Sequence, residues 1–417
     1  VVGAGLKAPG GTTVDELWAA LRAGRSVAEP YEDERLPADA RLVVSRVGGF
    51  DPADYLSGVE LRRLDRAHQL AIGAAQDALD CLGGRLPPRE RCAVVCGVGL
   101  GAASTFEEQH ERVLRRGLRA MSPLTVPMGM PSATASLLAL RFGLAGPCLT
   151  VSTACASGAT AIGEGVELLR RGACDLVLAG GVDALLSYGA LCGFLRLDVM
   201  SRRTDDPASA SRPFDAERDG FVMGEGAGFL VLQRPADARG REALGAIVGH
   251  GATADAHHLV APPEDGEGAL RCMRLALSDA GAEPAAVGHV NAHGTSTVRN
   301  DLAEARALAA LFDGAAPPVT AVKGTTGHLV GGSGAVEAIV TLRSLRERLV
   351  PPVAGLRRVD PRVEVDVVRD EPRPIGGGLG LSNAFGFGGA NACLVLAGAE
   401  ALNGASAARA ARRSPRR

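Results

Sequence analysis

An α/β architecture made of two comparable halves follows from three properties of this 417-residue chain. Apolar runs of strand length recur along it, amphipathic stretches with helical spacing lie between many of them, and charged, proline-bearing sequence at 233–244 interrupts the pattern. Strands that alternate with helices are buried in layers. Aromatic residues make up only 3% of the chain and glycine contributes 55 residues, so aliphatic side chains and close backbone approach must fill the core.

The chain opens in strand-like VVGAGL, and a few residues are expected to precede Val1. Gly3 to Ala8 matches the dinucleotide fingerprint GxGxxA, but Pro9, Gly10 and Gly11 follow, and a helix begins only near Thr13. A phosphate-binding fingerprint runs straight into its helix so that the N-terminus faces the pyrophosphate. A glycine-rich loop is therefore predicted. The spacing predicts a helix over 61–82, with Leu64, Ala67, Ala71, Ala74, Ala75, Ala78 and Leu82 on one face and Gly83 ending it.

Strands are predicted at 91–96, 148–152, 175–179 and 228–232, then at 246–248, 288–292, 319–322, 380–383 and 392–396. Each half sets a polar loop after a buried strand, Ser-Thr-Ala-Cys155 in the first and Asn291-Ala-His-Gly-Thr in the second. This suggests a duplication. The expected units are 1–240, 241–400 and a basic disordered tail, 401–417, which holds Arg409, Arg412, Arg413, Arg416 and Arg417.

A net charge of -2 gives no general argument for nucleic acid or membrane, and no apolar run approaches the ~20 residues needed to span a bilayer. Nine cysteines, odd in number, dispersed and without a CxxC pair, point to a reduced, cytoplasmic protein rather than a disulfide framework or a zinc site.

Val151 to Ala159, VSTACASGA, sets one cysteine where an apolar strand meets a helix of very small residues. Unpaired N–H groups at a helix N-terminus favour thiolate, so Cys155 is a candidate nucleophile with a lowered pKa; a small buried hydrophobe is the alternative. Three more segments place polar or basic side chains among small residues: NAHGTST (291–297), KGTTGHLVGGSG (323–334) and LSNAFGFGGAN (381–391). Cys393, past the last of these, reads as a strand-core residue.

In this order and spacing, TACASG, NAHGTST, KGTTGH and SNAFGFGG resemble the signature of β-ketoacyl synthases of the thiolase superfamily. GVGLG (97–101), RPFDAERDGFVMGEGAG (212–228) and DPADYLSGVELRRLDR (51–66) support it. The resemblance implies a duplicated thiolase-like fold in five layers, αβαβα, with Cys155 as acyl acceptor, His293 and His328 as the catalytic pair, and Lys323 as their supporting cation. Glu337 becomes that lysine's or its loop's partner. Backbone N–H groups of Cys155 and Phe387 match the oxyanion hole, Phe385 and Phe387 bracket a glycine turn expected to act as a gate, and Thr295 and Thr297 match positions that bond the pantetheine arm.

The same resemblance implies decarboxylative condensation with malonyl-ACP, with no metal and no tightly bound cofactor. Substrates ride on the 4'-phosphopantetheine arm of acyl carrier protein, and the partner is a second copy or a chain-length-factor-like subunit. A type II polyketide ketosynthase is the first expectation; a fatty-acid elongating enzyme and a non-catalytic chain-length factor are the alternatives, the last disfavoured by Cys155. A degradative thiolase would need a second cysteine late in the chain, which Cys393 does not match. Asp301 and Glu304 also match family positions, though a solvated helix start explains them nearly as well. Val298, Arg299, Gly324 and the run Gly331-Gly332-Ser333-Gly334 depart from the usual proline after GTST, serine after lysine, and GAAG.

Overall fold

The computed structural model describes residues 1–36, 41–238 and 240–400. The expected basic tail, 401–417, lies outside the described residues. Strands β1 (Gly3–Lys7), β2 (Glu29–Tyr31), β3 (Leu42–Ser45), β4 (Cys92–Val98), β5 (Cys148–Val151), β6 (Leu176–Ala184) and β7 (Met223–Leu232) form one sheet. A second sheet contains β8 (Gly245–Ala254), β9 (Val287–Asn291) and β10 (Val319–Thr320). After a short ribbon of β11 (Leu349–Val350) and β12 (Arg373–Pro374), that sheet is completed by β13 (Leu379–Gly386) and β14 (Ala390–Gly398). The helices are α1 (Val14–Arg22), α2 (Gly58–Leu61), α3 (Arg66–Asp80), α4 (Ala103–Arg116), α5 (Thr125–Gly129), α6 (Ala133–Phe142), α7 (Ser157–Arg170), α8 (Tyr188–Arg196), α9 (Glu267–Ala280), α10 (Val298–Leu311), α11 (Lys323–Thr326) and α12 (Ser333–Glu347).

The two sheets repeat one topology. The order β5-β4-β6-β7-β1 has two parallel pairings followed by two antiparallel ones, and β10-β9-β13-β14-β8 has the same sequence of pairings. The loop after β5, which carries Cys155, therefore corresponds to the loop after β10, which carries Lys323 and His328. Alternate strand residues face different cores: Val177 and Ala179 point to the layer between the sheets, whereas Leu176 and Leu178 point outward. Helices α7 and α12 fill that central layer, α3 and α6 cover the outer face of the first sheet, and α9 and α10 cover the second. Five layers result, as the resemblance implied.

Small residues let the central helices start almost in contact. A Cβ on Gly158 would lie 2.7 Å from Gly331 O, and one on Gly334 would lie 2.8 Å from Ala159 N. Loops that precede α7 and α12 are thereby brought together.

Several expectations change in detail. The helix expected over 61–82 is two helices, because Ser57 caps α2 with a capping box and Asp65, through its carboxylate, caps α3. Leu61 and Leu64 pack on the same core as α3, so the apolar period runs on where the backbone does not. The strand expected at 319–322 ends at Thr320, and most others run longer than their apolar runs. The strand at 148–152 is not buried: β5 is an edge, with Cys148 and Leu149 exposed. The N-terminal glycines serve packing, since a Cβ on Gly5 would sit 2.2 Å from Ala74 O in α3, and α1 starts only after its Thr13 cap.

Candidate active site

Cys155 lies in a single 3-10 turn, Ala154–Ala156, between β5 and α7. Ala154 has φ +50, a left-handed conformation costly for a residue with a Cβ. Ser157 ties the turn: its Oγ donates to Ala154 O at 2.6 Å and accepts from Thr153 N at 2.9 Å. The thiol is buried, and burial pushes its pKa up to about 11, against the opposing pull of the Lys323 charge and of the N–H groups of Phe387 and Cys155 itself. The expectation of a lowered pKa is thus corrected, because desolvation of the thiolate outweighs the helix N-terminus. With so high a pKa, the thiolate fraction rises about tenfold per pH unit throughout the neutral range. Iodoacetamide alkylation of Cys155, followed by peptide mass mapping, is expected to climb continuously from pH 7 to pH 9; a plateau below pH 8 would contradict it.

Lys323 begins α11 with its ammonium buried. It pairs with the buried Glu337 carboxylate of α12, donates to His293 O at 2.6 Å and stands 3.3 Å from His293 Nδ1. An ammonium only donates, so His293 Nδ1 is the acceptor and Nε2 carries the hydrogen. At His328 the Val330 N–H donates to Nδ1 at 3.3 Å, which assigns the same tautomer. The rings lie 5.5 Å apart between centroids, nearly perpendicular. Burial first, and then the Lys323 charge, holds both imidazoles well below the usual histidine range. Two neutral rings thus each keep an Nε2–H for the cavity they line.

Glu304 and Asp301 are buried, which overturns the solvated-helix explanation. Glu304 accepts from His293 N and Gly294 N, both at 2.8 Å, and its pKa is raised to about 7 by burial. Asp301 accepts from Phe214 N at 2.8 Å and Ser296 N at 3.2 Å, and lies 3.3 Å from Arg218 Nε. Both carboxylates hold the turn that carries His293.

A cavity of about 460 Å³ joins Cys155, His293, His328, Phe385 and Phe387. Thr295 and Thr297 line it with their hydroxyls 2.9 Å apart. Phe387 stacks on Phe194 at 6.4 Å, and Phe385 meets the His293 ring at 5.7 Å. Of the departures, Val298 and Arg299 line the same cavity. Gly324 packs so tightly that a Cβ would come within 2.4 Å of Ala354 O.

Asp183 was not singled out in the sequence. Fully buried in β6, it accepts from Gly99, Leu100 and Gly101 N–H groups and from Gly331 N at 2.7 Å. It ties the GVGLG turn to the loop after His328, and burial raises its pKa to about 6. An acidic residue inside an apolar strand, GGVDALL, was the available signal. Among the described residues no helix is long and apolar enough to cross a membrane.

The chain matches the family described as Beta-ketoacyl synthase, N-terminal domain, over residues 1–238, and that described as Beta-ketoacyl synthase, C-terminal domain, over residues 244–357. It is 38% identical over 404 residues to 3-oxoacyl-(acyl-carrier-protein) synthase 2 of Synechocystis sp., covering 95% of this chain and 97% of that protein. Among solved structures, a β-ketoacyl synthase from Burkholderia phymatum STM815 is similar with a TM-score of 0.88 and 34% identity, over 95% of this chain and 98% of that one. The ishigamide ketosynthase/chain length factor has the same TM-score and coverage at 32% identity.

Proposed function

The chain belongs to the β-ketoacyl synthase family, and from that premise we propose that it joins an acyl group held on Cys155 to a malonyl unit, both delivered by acyl carrier protein. The observation that carries this reading is the convergence of Cys155, His293 and His328 on one cavity. It is a condensing enzyme of the acyltransferase type.

In the first half-reaction the Cys155 thiol releases its proton to solvent, and the thiolate attacks the thioester carbonyl of the incoming acyl group. The carbonyl oxygen takes up the negative charge, and N–H groups of Cys155 and Phe387, both within reach of the sulfur, stabilise it. Collapse breaks the C–S bond to the carrier, whose thiolate takes a proton back from solvent, and leaves acyl-Cys155. In the second half-reaction malonyl thioester loses carbon dioxide, and the electron pair of the broken C–C bond becomes an enolate. Nε2–H groups of His293 and His328 donate to the enolate oxygen as its charge forms. Its α-carbon then attacks acyl-Cys155, the new C–C bond forms, and the Cys155 thiolate leaves.

Lys323, fixed by Glu337, holds His293 neutral and oriented. Thr295 and Thr297 offer hydroxyls to the amides of the pantetheine arm, and Phe385 and Phe387 on their glycine turn gate the cavity. Nothing in this sequence of steps calls for a resident metal or tightly bound cofactor. We assign the nucleophile to a half at 1–240 and the histidine pair to a half at 241–400. The working form is a dimer, with a second copy or with a chain-length-factor-like subunit, closed over exposed β5 and over Phe106, Leu118, Val126 and Leu140, which are large apolar side chains left exposed on and beside α4 to α6. A cytoplasmic setting fits the free cysteines.

Within this class we propose the ketosynthase of a type II polyketide pathway, supported by the likeness to the ishigamide ketosynthase/chain length factor. The higher identity to the Synechocystis synthase favours fatty-acid elongation as the second reading. Reconstitution with acyl- and malonyl-carrier thioesters, without a reductase, separates them. A polyketide ketosynthase takes its own β-ketoacyl product back onto Cys155 and gives products longer by several units, so a single round of extension, with or without a partner subunit, would overturn the polyketide assignment.

A further inference from the structure

We propose that Ser333 is a positioning residue for His328, its hydroxyl donating to Nδ1 while accepting from Leu329 N–H, so that the ring is clamped with Nε2–H facing the substrate oxygen. The inference rests on the condensing function proposed above. Ser333 Oγ is 3.0 Å from His328 Nδ1 and 2.9 Å from Leu329 N. Direction follows from the neighbours. Leu329 N can only donate, which makes Oγ its acceptor, and Val330 N–H already donates to Nδ1, which leaves Nδ1 without a hydrogen. The hydroxyl hydrogen of Ser333 therefore points at Nδ1.

An ordinary helix-cap role does not explain this geometry. Ser333 is the first residue of α12, Gly332 occupies the cap position, and no side chain caps the helix; the hydroxyl turns back to Leu329 and His328 instead of forward along the helix. The turn it spans is strained, since Val330 is a β-branched residue at φ +48, and such conformations persist only where surrounding bonds over-determine them. Ser333 and His328 are each 2% exposed, so the pair cannot trade its bonds for bulk water. Position 333 is also one of the departures from GAAG, which makes the clamp a feature of this chain's own residue.

A donor on Nδ1 favours the neutral ring, so removing it raises the pKa of His328 and weakens its orientation. Groups that share the surroundings of the ring are the Lys323 ammonium, the neutral His293 ring and the Cys155 thiol; Asp183 meets the loop at Gly331 N rather than at the ring.

Ser333→Ala in the full chain is the test. Malonyl-carrier decarboxylation, read as carbon dioxide release, is expected to fall about tenfold, the scale of one lost buried hydrogen bond, while acyl transfer to Cys155, read by intact mass, keeps its rate. Selective 15N-histidine labelling, with the His328 signals assigned by their absence in His328→Ala, should show the ring titrating at higher pH in Ser333→Ala than in wild type. Unchanged decarboxylation with an unchanged titration overturns the clamp. So does an equal loss in both half-reactions with an unchanged titration, because that is the mark of a packing defect. The titration needs no substrate, so a wild type inert in both half-reactions refutes the condensing reading and still leaves the clamp decided.

Discussion

Cys155→Ala is expected to abolish acyl transfer and to lower condensation by about 10⁴-fold or more, the scale seen when a covalent nucleophile is removed, while decarboxylation of malonyl-carrier thioester continues. The reason is the division of the cavity. In the proposed mechanism acyl transfer needs the sulfur and the N–H groups beside it, whereas enolate formation needs the two imidazoles, which Cys155→Ala leaves in place. No other cysteine can substitute. Among the described residues Cys155 is the one cysteine that lines the cavity; Cys81, Cys92, Cys96, Cys148, Cys174, Cys192, Cys272 and Cys393 do not. Intact mass and peptide mapping after incubation with acyl-carrier thioester check this in the wild type. An acyl label on Cys148 or Cys96 with Cys155 unmodified would falsify the assignment.

His328→Ala is expected to give the converse result: acyl-Cys155 accumulates at close to the wild-type rate, and condensation falls by about 10²- to 10³-fold, the usual cost of removing one donor to a developing oxyanion. Two features place the loss in the second half-reaction. The ring is neutral because burial and Lys323 hold its pKa down, so the contribution proposed for it is an Nε2–H bond to an oxygen that becomes charged only as carbon dioxide leaves. The acyl-transfer oxyanion, by contrast, is assigned to backbone N–H groups that the substitution leaves unchanged. Single-turnover measurement of both half-reactions decides the matter. Condensation at the wild-type rate would remove His328 from the mechanism, and an equal fall in acyl transfer would place it in both steps. Because a lowered pKa keeps the ring neutral across the neutral range, His328 should add no step to wild-type decarboxylation between pH 6 and pH 8, and a step near pH 7 would belong to Glu304.

Position 333 shows the limit of reading by resemblance. In the sequence Ser333 is only a departure from GAAG, to be weighed with Gly324 and Val298 as a matter of pocket shape. The tertiary structure separates the three: Gly324 is a steric requirement against Ala354 O, Val298 lines the cavity, and Ser333 reaches a catalytic-pair ring by a hydrogen bond.

By itself the sequence determined the layered α/β class and the four ordered motifs, and it marked Cys155, Lys323, His293 and His328 as catalytic candidates, because such features are local: periodicity marks strands and helices, and a motif is a run of neighbours. It also marked Thr295, Thr297, Phe385, Phe387 and Glu337 as candidates. Only the tertiary structure decided the thiol's protonation, the tautomers of both histidines and the roles of Asp183, Asp301 and Glu304. Each of those depends on groups far apart in the chain, such as Asp183 and Gly331 or Lys323 and His293. The same holds for β5, whose apolar run reads as buried although it lies on a sheet edge. Charge and solvation in a buried site are set by everything within a few ångströms, and the fold, not the order of residues, chooses those neighbours.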